Sequence, residues 1–167
     1  MNLTFEYLAD WPEAIPYVAA WWHSAWGSVC PEQTVDDLAT QICNLVSRDR
    51  PPIQILAVAA DKVAGVAVLK MHEMFDLYPD RRYWLGKVFV APECRGRGIA
   101  SALAMQIVEI ATSHGADILH LQTTKLDGGL YGRLGWERID QVHYRGYEAL
   151  VMAKPLKGPS RPLSLKS

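Results

Sequence analysis

A strand, a glycine-containing loop and a long helix follow one another near the middle of the chain, and this segment constrains the fold most. The strand pattern runs from Trp84 to Val90 and is apolar on both faces, which predicts a central position in a sheet. The helical pattern runs from Gly98 to His114, with apolar residues recurring on one face. Between them, Gly96 and Gly98 can adopt backbone angles that other residues avoid, and they let a ligand approach the main chain.

The chemistry of this loop points to an anion. The first turn of a helix presents N–H groups without an intrahelical partner and a partial positive charge, and Arg95 and Arg97 add formal charge. Together these features predict a site for phosphate or pyrophosphate. The alternative is a glycine turn that serves only to connect a strand to a helix.

Two common phosphate-binding loops fit this segment poorly. The Walker A pattern G-x-x-x-x-G-K-S/T is absent. In the dinucleotide pattern G-x-G-x-x-G, the third small residue falls one place early, because Gly96-Arg97-Gly98 is followed by Ile99-Ala100-Ser101. The next strand ends in Gln122-Thr123-Thr124 and lacks the terminal acid of a nucleotide-binding unit, since Asp117 lies at its start. A nucleotide-dependent oxidoreductase is therefore a weakly supported alternative.

The remaining patterns predict alternating strands and helices. Helices are predicted from Asp10 and Pro12 to near Gly27, from Thr34 to about Arg48, and from Leu130 to Leu134. Strands are predicted at residues 3–8, 53–60, 63–70, 118–123, 136–142 and 149–153. Asp10 is predicted as the N-cap of the first helix, and Thr34 with Asp37 as a capping box on the second. The order predicts a single α/β (α+β) domain with a mixed sheet over residues 1–156 and a flexible tail over residues 157–167.

Composition and charge exclude several classes of protein. Half of the 167 residues are apolar, which is enough for a buried core. The 17 Lys and Arg residues balance 18 Asp and Glu residues, so no nucleic-acid partner is expected. No apolar run approaches the roughly 20 residues that cross a bilayer, and the N-terminus lacks the pattern of a signal peptide. Three widely spaced cysteines, Cys30, Cys43 and Cys94, argue against a disulfide framework or a zinc site and predict a cytoplasmic protein.

Two motifs together resemble a known family. The run Arg95-Gly96-Arg97-Gly98-Ile99-Ala100 matches the pattern Q/R-x-x-G-x-G/A, and Val88-x-Val90-x-Pro92 precedes it. Further along, Tyr131-Gly132-Arg133-Leu134-Gly135-Trp136 matches Y-x-x-x-G-F/W. The first motif resembles the acetyl-CoA-binding loop of the GNAT superfamily of N-acetyltransferases, and the second resembles a later segment of that superfamily. The resemblance covers about residues 3–155 and implies a mixed, mostly antiparallel central sheet of about seven strands flanked by about four helices.

The resemblance implies acetyl-CoA as co-substrate and no metal. The backbone of Val88 and Val90 would pair with the pantetheine arm as an added strand does, and the N–H groups from Arg95 to Ser101 would bind the pyrophosphate. Thr124 stands where the family often has an asparagine. The residues expected at the cofactor are Val88, Phe89, Val90, Arg95, Gly96, Arg97, Gly98, Ile99, Ala100, Ser101 and Thr124.

The implied reaction is direct attack of an amine on the thioester. Tyr131 is the candidate general acid, since a phenol is protonated at neutral pH and can give its proton to the leaving thiolate. The alternative is a core tyrosine whose hydroxyl has a local partner. A backbone N–H near Val90 is the expected oxyanion donor. Trp26, Glu73 and Asp76 are the expected acceptor contacts, while the general base stays open.

These observations predict a cytoplasmic acetyl-CoA-dependent N-acetyltransferase that acts on a primary amine of a small molecule or peptide. A homodimer fits the family, and no membrane partner is expected. The rival prediction is a non-catalytic acyl-CoA-binding or sensing module of the same fold, because the stretch before Val88 carries no carboxylate. Cys94 lies beside the helix N-terminus, and loop packing is its expected role, because no histidine is placed to form a nucleophilic pair with it.

Overall fold

The structure is a computed structural model that describes residues 2–156, so the predicted tail over residues 157–167 lies outside the described residues. The strands are β1 (Leu3–Tyr7), β2 (Ile53–Ala59), β3 (Lys62–Lys70), β4 (Trp84–Val90), β5 (Ile118–Thr123), β6 (Glu137–Tyr144) and β7 (Tyr147–Pro155). The helices are α1 (Ile15–Trp26), α2 (Val35–Leu45), α3 (Ile99–Ser113) and α4 (Gly129–Arg133).

The strands form a seven-stranded sheet in the order β1-β2-β3-β4-β5-β7-β6. The pairs β1–β2, β2–β3, β5–β7 and β6–β7 are antiparallel. The pair β4–β5 is parallel, with Trp84 opposite His120. This arrangement confirms the predicted mixed, mostly antiparallel sheet and the central position of β4.

The described residues divide into two compact units, residues 2–71 with 85–107 and residues 72–84 with 108–156. In the first unit, α1 and α2 pack against β2 and β3. The buried side chains that join them include Val18, Trp22, Leu38, Ile42, Leu56, Val58, Val66 and Val68. The prediction that residues 1–156 form a single domain stays a prediction.

The second unit has a core of its own. The loop between β3 and β4 contributes the buried Met74, the start of β4 contributes Trp84, and β7 contributes Ala149 and Val151. Tyr78, Val142, Tyr144 and Tyr147 pack around this core. The loop is therefore held on one face of the β6–β7 strand pair by buried apolar contacts.

The two predicted helix starts differ in outcome. The prediction for Asp10 is wrong: it lies in a 3-10 turn, a second 3-10 turn leads straight into α1, and the N-cap is Ala14, which makes no side-chain cap. Because the chain is already helical at Ala14, no extended N-cap position is left for a carboxylate to fill. The capping box on α2 is confirmed, with Asp37 N–H donating to Thr34 Oγ1 and Thr34 N–H donating to Asp37 Oδ2, both at 3.0 Å.

Candidate active site

The loop between β4 and α3 has the backbone that its glycines predict. Gly96 and Gly98 have φ angles of +79° and +80°, in the left-handed region that favours glycine. Within residues 2–156, a Cβ atom added at either position would have no heavy atom within 4 Å outside the chain neighbours. The carbonyl of Gly98 accepts the hydrogen bond of Ala102 N–H at 3.1 Å, so α3 begins directly after it. An open backbone therefore leads into a helix N-terminus, which is an arrangement that binds anions.

Arg95 is bound to the strand that precedes the loop. Its Nε donates to the carbonyl of Val90 at 2.9 Å, and its guanidinium carbon lies 5.2 Å from the centre of the Phe89 ring. Arg97 is exposed on the same loop. Arg95 and Arg97 are equivalent in the sequence prediction, but their surroundings differ. Arg95 contacts the end of β4, whereas Arg97 is exposed on the loop.

An irregular residue, Lys87, interrupts β4. Its φ angle is +51°, which is uncommon for a residue with a side chain. Trp22 Nε1 donates to the carbonyl of Lys87 at 3.2 Å. The Lys87 ammonium lies 5.3 Å from the Trp22 ring and 5.4 Å from the Trp26 ring, within the range of cation–π attraction.

Aromatic side chains from α1 surround Phe89. The Trp21 ring stacks on Phe89 with centroids 5.5 Å apart, and the Trp26 ring meets Phe89 edge-on at 6.4 Å. Trp26 remains 37% exposed. The first unit thus brings Trp26, a predicted acceptor contact, beside Phe89 on the predicted cofactor strand.

Gly65 on β3 allows β4 to approach closely. A Cβ atom at Gly65 would lie 2.9 Å from the carbonyl oxygen of Phe89 and 3.1 Å from Leu103 Cδ1. The first of these atoms is backbone and cannot move aside cheaply. Only glycine therefore fits at this point of the β3–β4 pair.

Tyr131 lies on α4 in the second unit. Burial is the only cause acting on its phenol, and it raises the pKa of Tyr131 to about 12. Its ring meets Trp136 edge-on at 6.0 Å. The alternative of a core tyrosine, whose ring packs beside Trp136, therefore stays open beside the role of general acid.

The chain before Tyr131 is shaped by a second pair of glycines. Gly128 is the N-cap of α4 with a φ angle of +88°, and Gly129 has a φ angle of +50°. Asp127 Oδ1 accepts the N–H of Gly129 at 3.0 Å. Thr124, the predicted cofactor contact in this segment, is exposed directly after β5.

The loop between β3 and β4 carries both predicted acceptor carboxylates. Glu73 Oε2 accepts from Gln122 Nε2 at 2.6 Å, and the Tyr147 hydroxyl donates to Gln122 Oε1 at 2.9 Å. Asp76 Oδ1 accepts from the Tyr144 hydroxyl at 2.8 Å, a bond that lowers the pKa of the Asp76 carboxyl. Both carboxylates are thus held by side chains of neighbouring strands.

The sequence prediction missed Gln122 and Tyr147. A polar side chain such as Gln122 in a buried strand signals that a partner is needed, but it does not identify that partner. The strand pattern treats Lys87 as an ordinary strand residue. Its backbone angle has no signature in the residue pattern.

No helix of the described residues is both long and apolar enough to span a membrane. Across the same range, no group of three or more His, Cys, Asp or Glu side chains is arranged to hold a metal ion.

Comparisons with known proteins agree with this geometry. The model of the acetyltransferase (GNAT) family matches residues 15–136. An aminoglycoside 6'-acetyltransferase type Ii superposes with a TM-score of 0.72 at 19% identity, over 95% of this chain and 99% of that chain. An aminoglycoside 6'-N-acetyltransferase complexed with coenzyme A also gives 0.72, at 16% identity, over 95% and 98%. Ribosomal-protein-alanine N-acetyltransferase from Brucella melitensis gives 0.68 at 20% identity, over 93% and 100%.

No curated protein matches the sequence significantly. At the identities found among the solved structures, the likeness shows the fold alone.

Proposed function

Because this chain belongs to the acetyltransferase (GNAT) family, whose model matches residues 15–136, we propose that it is an N-acetyltransferase, which transfers the acetyl group of acetyl-CoA to a primary amine of a small molecule or peptide. The observation that carries the proposal is the loop before α3, where Gly96 and Gly98 are left-handed and leave space beside the main chain. A pyrophosphate can approach such a backbone closely, and the helix N-terminus favours its charge.

The residues of the first unit fit acetyl-CoA, which supplies the acetyl group as a thioester. Its pyrophosphate would be held by N–H groups between Arg95 and Ser101, and its pantetheine arm by the peptide groups of β4 from Val88 to Val90. The carbonyl of Val90 already accepts a hydrogen bond from Arg95 Nε. We therefore assign the arm to the other peptide groups of this stretch, and the oxyanion to an N–H near Val90.

Tyr131 is the proposed general acid. The amine attacks the thioester carbonyl, and the C–S bond breaks with its electron pair going to sulfur. The phenol gives its proton to the thiolate. The surplus proton of the amine passes to water, and the phenolate takes a proton back from water, so that the phenol is restored. With a pKa of about 12, the phenol holds its proton throughout the neutral range. Desolvation that raises the pKa of a phenol also raises that of a nearby thiol, so the driving force for the transfer is partly kept.

The finer assignments of location and assembly are also proposals. Cys30, Cys43 and Cys94 are all free, which is the usual state in a reducing compartment, and we propose a cytoplasmic location. A homodimer remains part of the proposal without an assigned interface.

The test is a screen for acceptors combined with a binding measurement. Calorimetry measures acetyl-CoA affinity, and release of free thiol is followed with kanamycin, spermidine, a short peptide with a free N-terminus, and 4-aminobenzoate. We expect acetyl-CoA to bind, to raise the melting temperature and to release thiol with at least one amine; at about 100 times the Kd the added stability is about 2.7 kcal/mol. Binding without thiol release for any amine would favour the non-catalytic module, and stabilisation by NAD(P)H or ATP alone would overturn the proposal.

A further inference from the structure

A row of three side chains connects α1 to the glycine-containing loop within the first unit. The Trp21 ring, on α1, stacks on the Phe89 ring of β4 with an interplanar angle of 23° and centroids 5.5 Å apart. The guanidinium carbon of Arg95, on the loop, lies over the same Phe89 ring at 5.2 Å from its centre. Phe89 is therefore the common neighbour of a helix residue and a loop residue that are far apart in the sequence.

The position of the Phe89 ring is fixed by its surroundings. Trp26, further along α1, meets this ring edge-on at an angle of 73° with centroids 6.4 Å apart. The backbone of Phe89 lies tight against β3, since a Cβ atom at Gly65 would be 2.9 Å from the Phe89 carbonyl oxygen. A ring that is packed against two tryptophans on a closely paired strand has little freedom to change its rotamer. Phe89 therefore offers the guanidinium a ring of fixed position.

Arg95 makes two contacts with β4 although its side chain is exposed. Its Nε donates to the Val90 carbonyl at 2.9 Å, and its distance from the Phe89 ring is within the range of cation–π attraction. A guanidinium suits both contacts, because it is planar, donates from N–H groups in its plane and stacks on aromatic rings. Without the ring, the rotatable bonds of an exposed arginine would favour its departure from the carbonyl.

The position of Arg95 affects the loop that follows it. The hydrogen bond to Val90 joins the start of this loop to the end of β4, and the left-handed Gly96 and Gly98 follow directly. When that bond is lost, the loop gains conformations, and a ligand that needs one of them must order the loop as it binds. Contacts that keep Arg95 on Val90 therefore raise affinity without touching the ligand.

We propose that Trp21 and Phe89 are positioning residues of the acetyl-CoA site, because their stacked rings hold Arg95 on the Val90 carbonyl. The inference rests on the proposed acetyltransferase function and deepens it, since it adds a residue of α1 that needs no contact with acetyl-CoA. The Phe89 ring acts through Arg95, and Trp21 acts through Phe89.

Four variants and a double-mutant cycle test the inference. Phe89→Leu and Trp21→Leu each replace an aromatic ring with an aliphatic side chain, whereas Trp21→Phe keeps a ring for stacking. Tyr17→Leu is the matched control, because it also replaces an aromatic side chain of α1 with leucine, and Tyr17 lies 63% exposed one turn before Trp21. Calorimetry measures the Kd of acetyl-CoA for each variant, alone and combined with Arg95→Ala.

We expect Phe89→Leu to weaken acetyl-CoA binding about 3- to 10-fold and Trp21→Leu about threefold, since an exposed cation–π contact and one hydrogen bond are worth that range. Trp21→Phe should stay within about 1.5-fold of the parent, because an aromatic pair is kept. Tyr17→Leu should bind acetyl-CoA as the parent does.

The Arg95→Ala background shows whether the rings act through Arg95. In that background, Phe89→Leu and Trp21→Leu should each change Kd by less than about 1.5-fold, because the group through which they act is gone. Effects that add in full to that of Arg95→Ala would mean that the rings contact the cofactor or support the fold in general, and would overturn the inference. If Trp21→Leu does not fold, Phe89→Leu alone completes the cycle.

A measurement without ligand tests the positioning directly. The hydrogen bond to Val90 slows the exchange of the Arg95 Nε proton with water, which NMR follows, and the signal is assigned by its loss in Arg95→Ala. We expect Phe89→Leu and Trp21→Leu to speed this exchange about 3- to 10-fold, in line with their effects on affinity. A purely structural role would lower the melting temperature and leave the exchange as it is in the parent.

The outcomes separate this inference from the proposed function. If the parent protein does not bind acetyl-CoA, the proposed function fails, and the role of the rings at this cofactor fails with it even where proton exchange responds as expected. If the parent binds acetyl-CoA but Phe89→Leu and Trp21→Leu bind it as tightly as Tyr17→Leu does, only the positioning role is overturned. Equal exchange rates in the parent and Phe89→Leu would overturn that role as well.

Discussion

Arg95 and Val90 are joined by a hydrogen bond of 2.9 Å from the guanidinium Nε to the backbone carbonyl, which closes the glycine loop onto the end of β4. The first position of the loop pattern accepts glutamine or arginine, and both side chains can donate a hydrogen bond. This bond gives Arg95 a role within the protein alone, before any ligand is considered. The charge of Arg95 and its hydrogen bond to the Val90 carbonyl can be tested separately with different substitutions.

We expect Arg95→Ala to weaken acetyl-CoA binding about tenfold, because the loop loses the bond to Val90 that orders it. Arg95→Lys should bind acetyl-CoA nearly as weakly as Arg95→Ala does, since lysine keeps the charge but lacks the planar Nε–H. Arg97→Ala is the control, and it should cost only about two- to threefold, because an exposed charge is partly screened. Calorimetry at one fixed salt concentration measures all three, and full affinity in Arg95→Lys would show that charge alone matters.

Gly98→Ala tests the open backbone of the loop. The matched control is Gly146→Ala in the β6–β7 turn, since both glycines have φ angles above +75° and space for a Cβ atom. Each change should lower the free energy of unfolding by about 1–2 kcal/mol through backbone strain. Only Gly98→Ala should also weaken acetyl-CoA binding, by about tenfold or more, because its methyl group fills ligand space. Equal affinities in the two variants would place the pyrophosphate elsewhere.

Tyr131→Phe should lower kcat and leave acetyl-CoA affinity and the melting temperature nearly unchanged. The ring is kept, and no hydrogen bond to a described residue is lost with the hydroxyl. General-acid catalysis is typically worth about 10²- to 10⁴-fold, and water can replace part of it for a thiolate leaving group. Because the pKa of Tyr131 is raised to about 12, its ionisation should not reduce kcat up to about pH 10. An unchanged kcat with chemistry shown to be rate-limiting would make Tyr131 a packing residue.

His120 should make stability depend on pH. It is 5% exposed, and Nδ1 lies 3.1 Å from the Arg82 carbonyl and 3.2 Å from the Tyr83 carbonyl, so this nitrogen carries the proton of a neutral ring. Burial, the largest cause, lowers the pKa of His120 below 6.5. As pH falls below 6.5, the unfolded chain binds a proton before the folded protein does, and the free energy of unfolding decreases until the folded pKa is passed.

The measurement is urea denaturation between pH 7.5 and 5 on the parent and on His120→Asn. Asparagine keeps an N–H donor near the position of Nδ1 but does not titrate. We expect the variant to lose part of the decrease in stability that the parent shows below pH 6.5. The same decrease in both proteins would mean that other groups cause it.

The bounds of β4 and β5 agree with the predicted ranges to the residue, and the reasons are local. Both segments are rich in apolar residues, and polar residues or turn signals bound them: Arg82 precedes β4, Pro92 follows it closely, and Gly115 precedes β5. The turn between β2 and β3 was predicted one residue late: Ala60 and Asp61 form it, with φ angles of +51° and +62°. Alanine gives no turn signal, and the closing of the ladder at Ala59 and Lys62 decides the position.

Contacts between distant residues could not be predicted in the same way. Glu73 and Gln122 are separated by 49 positions, and a residue pattern assigns a face to each without identifying its partner. The sequence shows Glu73 and Asp76 as carboxylates that precede β4, but it does not identify Gln122 and Tyr144 as the side chains that orient them. The requirement for glycine at position 65 is likewise invisible, because it comes from the Phe89 carbonyl on another strand.

The hydrogen bonds from Trp22 to the Lys87 carbonyl and from Arg95 to the Val90 carbonyl have a consequence for how this strand can diverge. Trp22, which lies 65 positions before Lys87, donates to one main-chain oxygen of β4. Arg95, which lies 5 positions after Val90, donates to another. Substitution of Trp22 or Arg95 would therefore release the carbonyl of Lys87 or of Val90 for another hydrogen bond, with the sequence of β4 unchanged. Ligand preference could then change, in evolution or by design, through substitutions outside β4 while the residues of β4 stay the same.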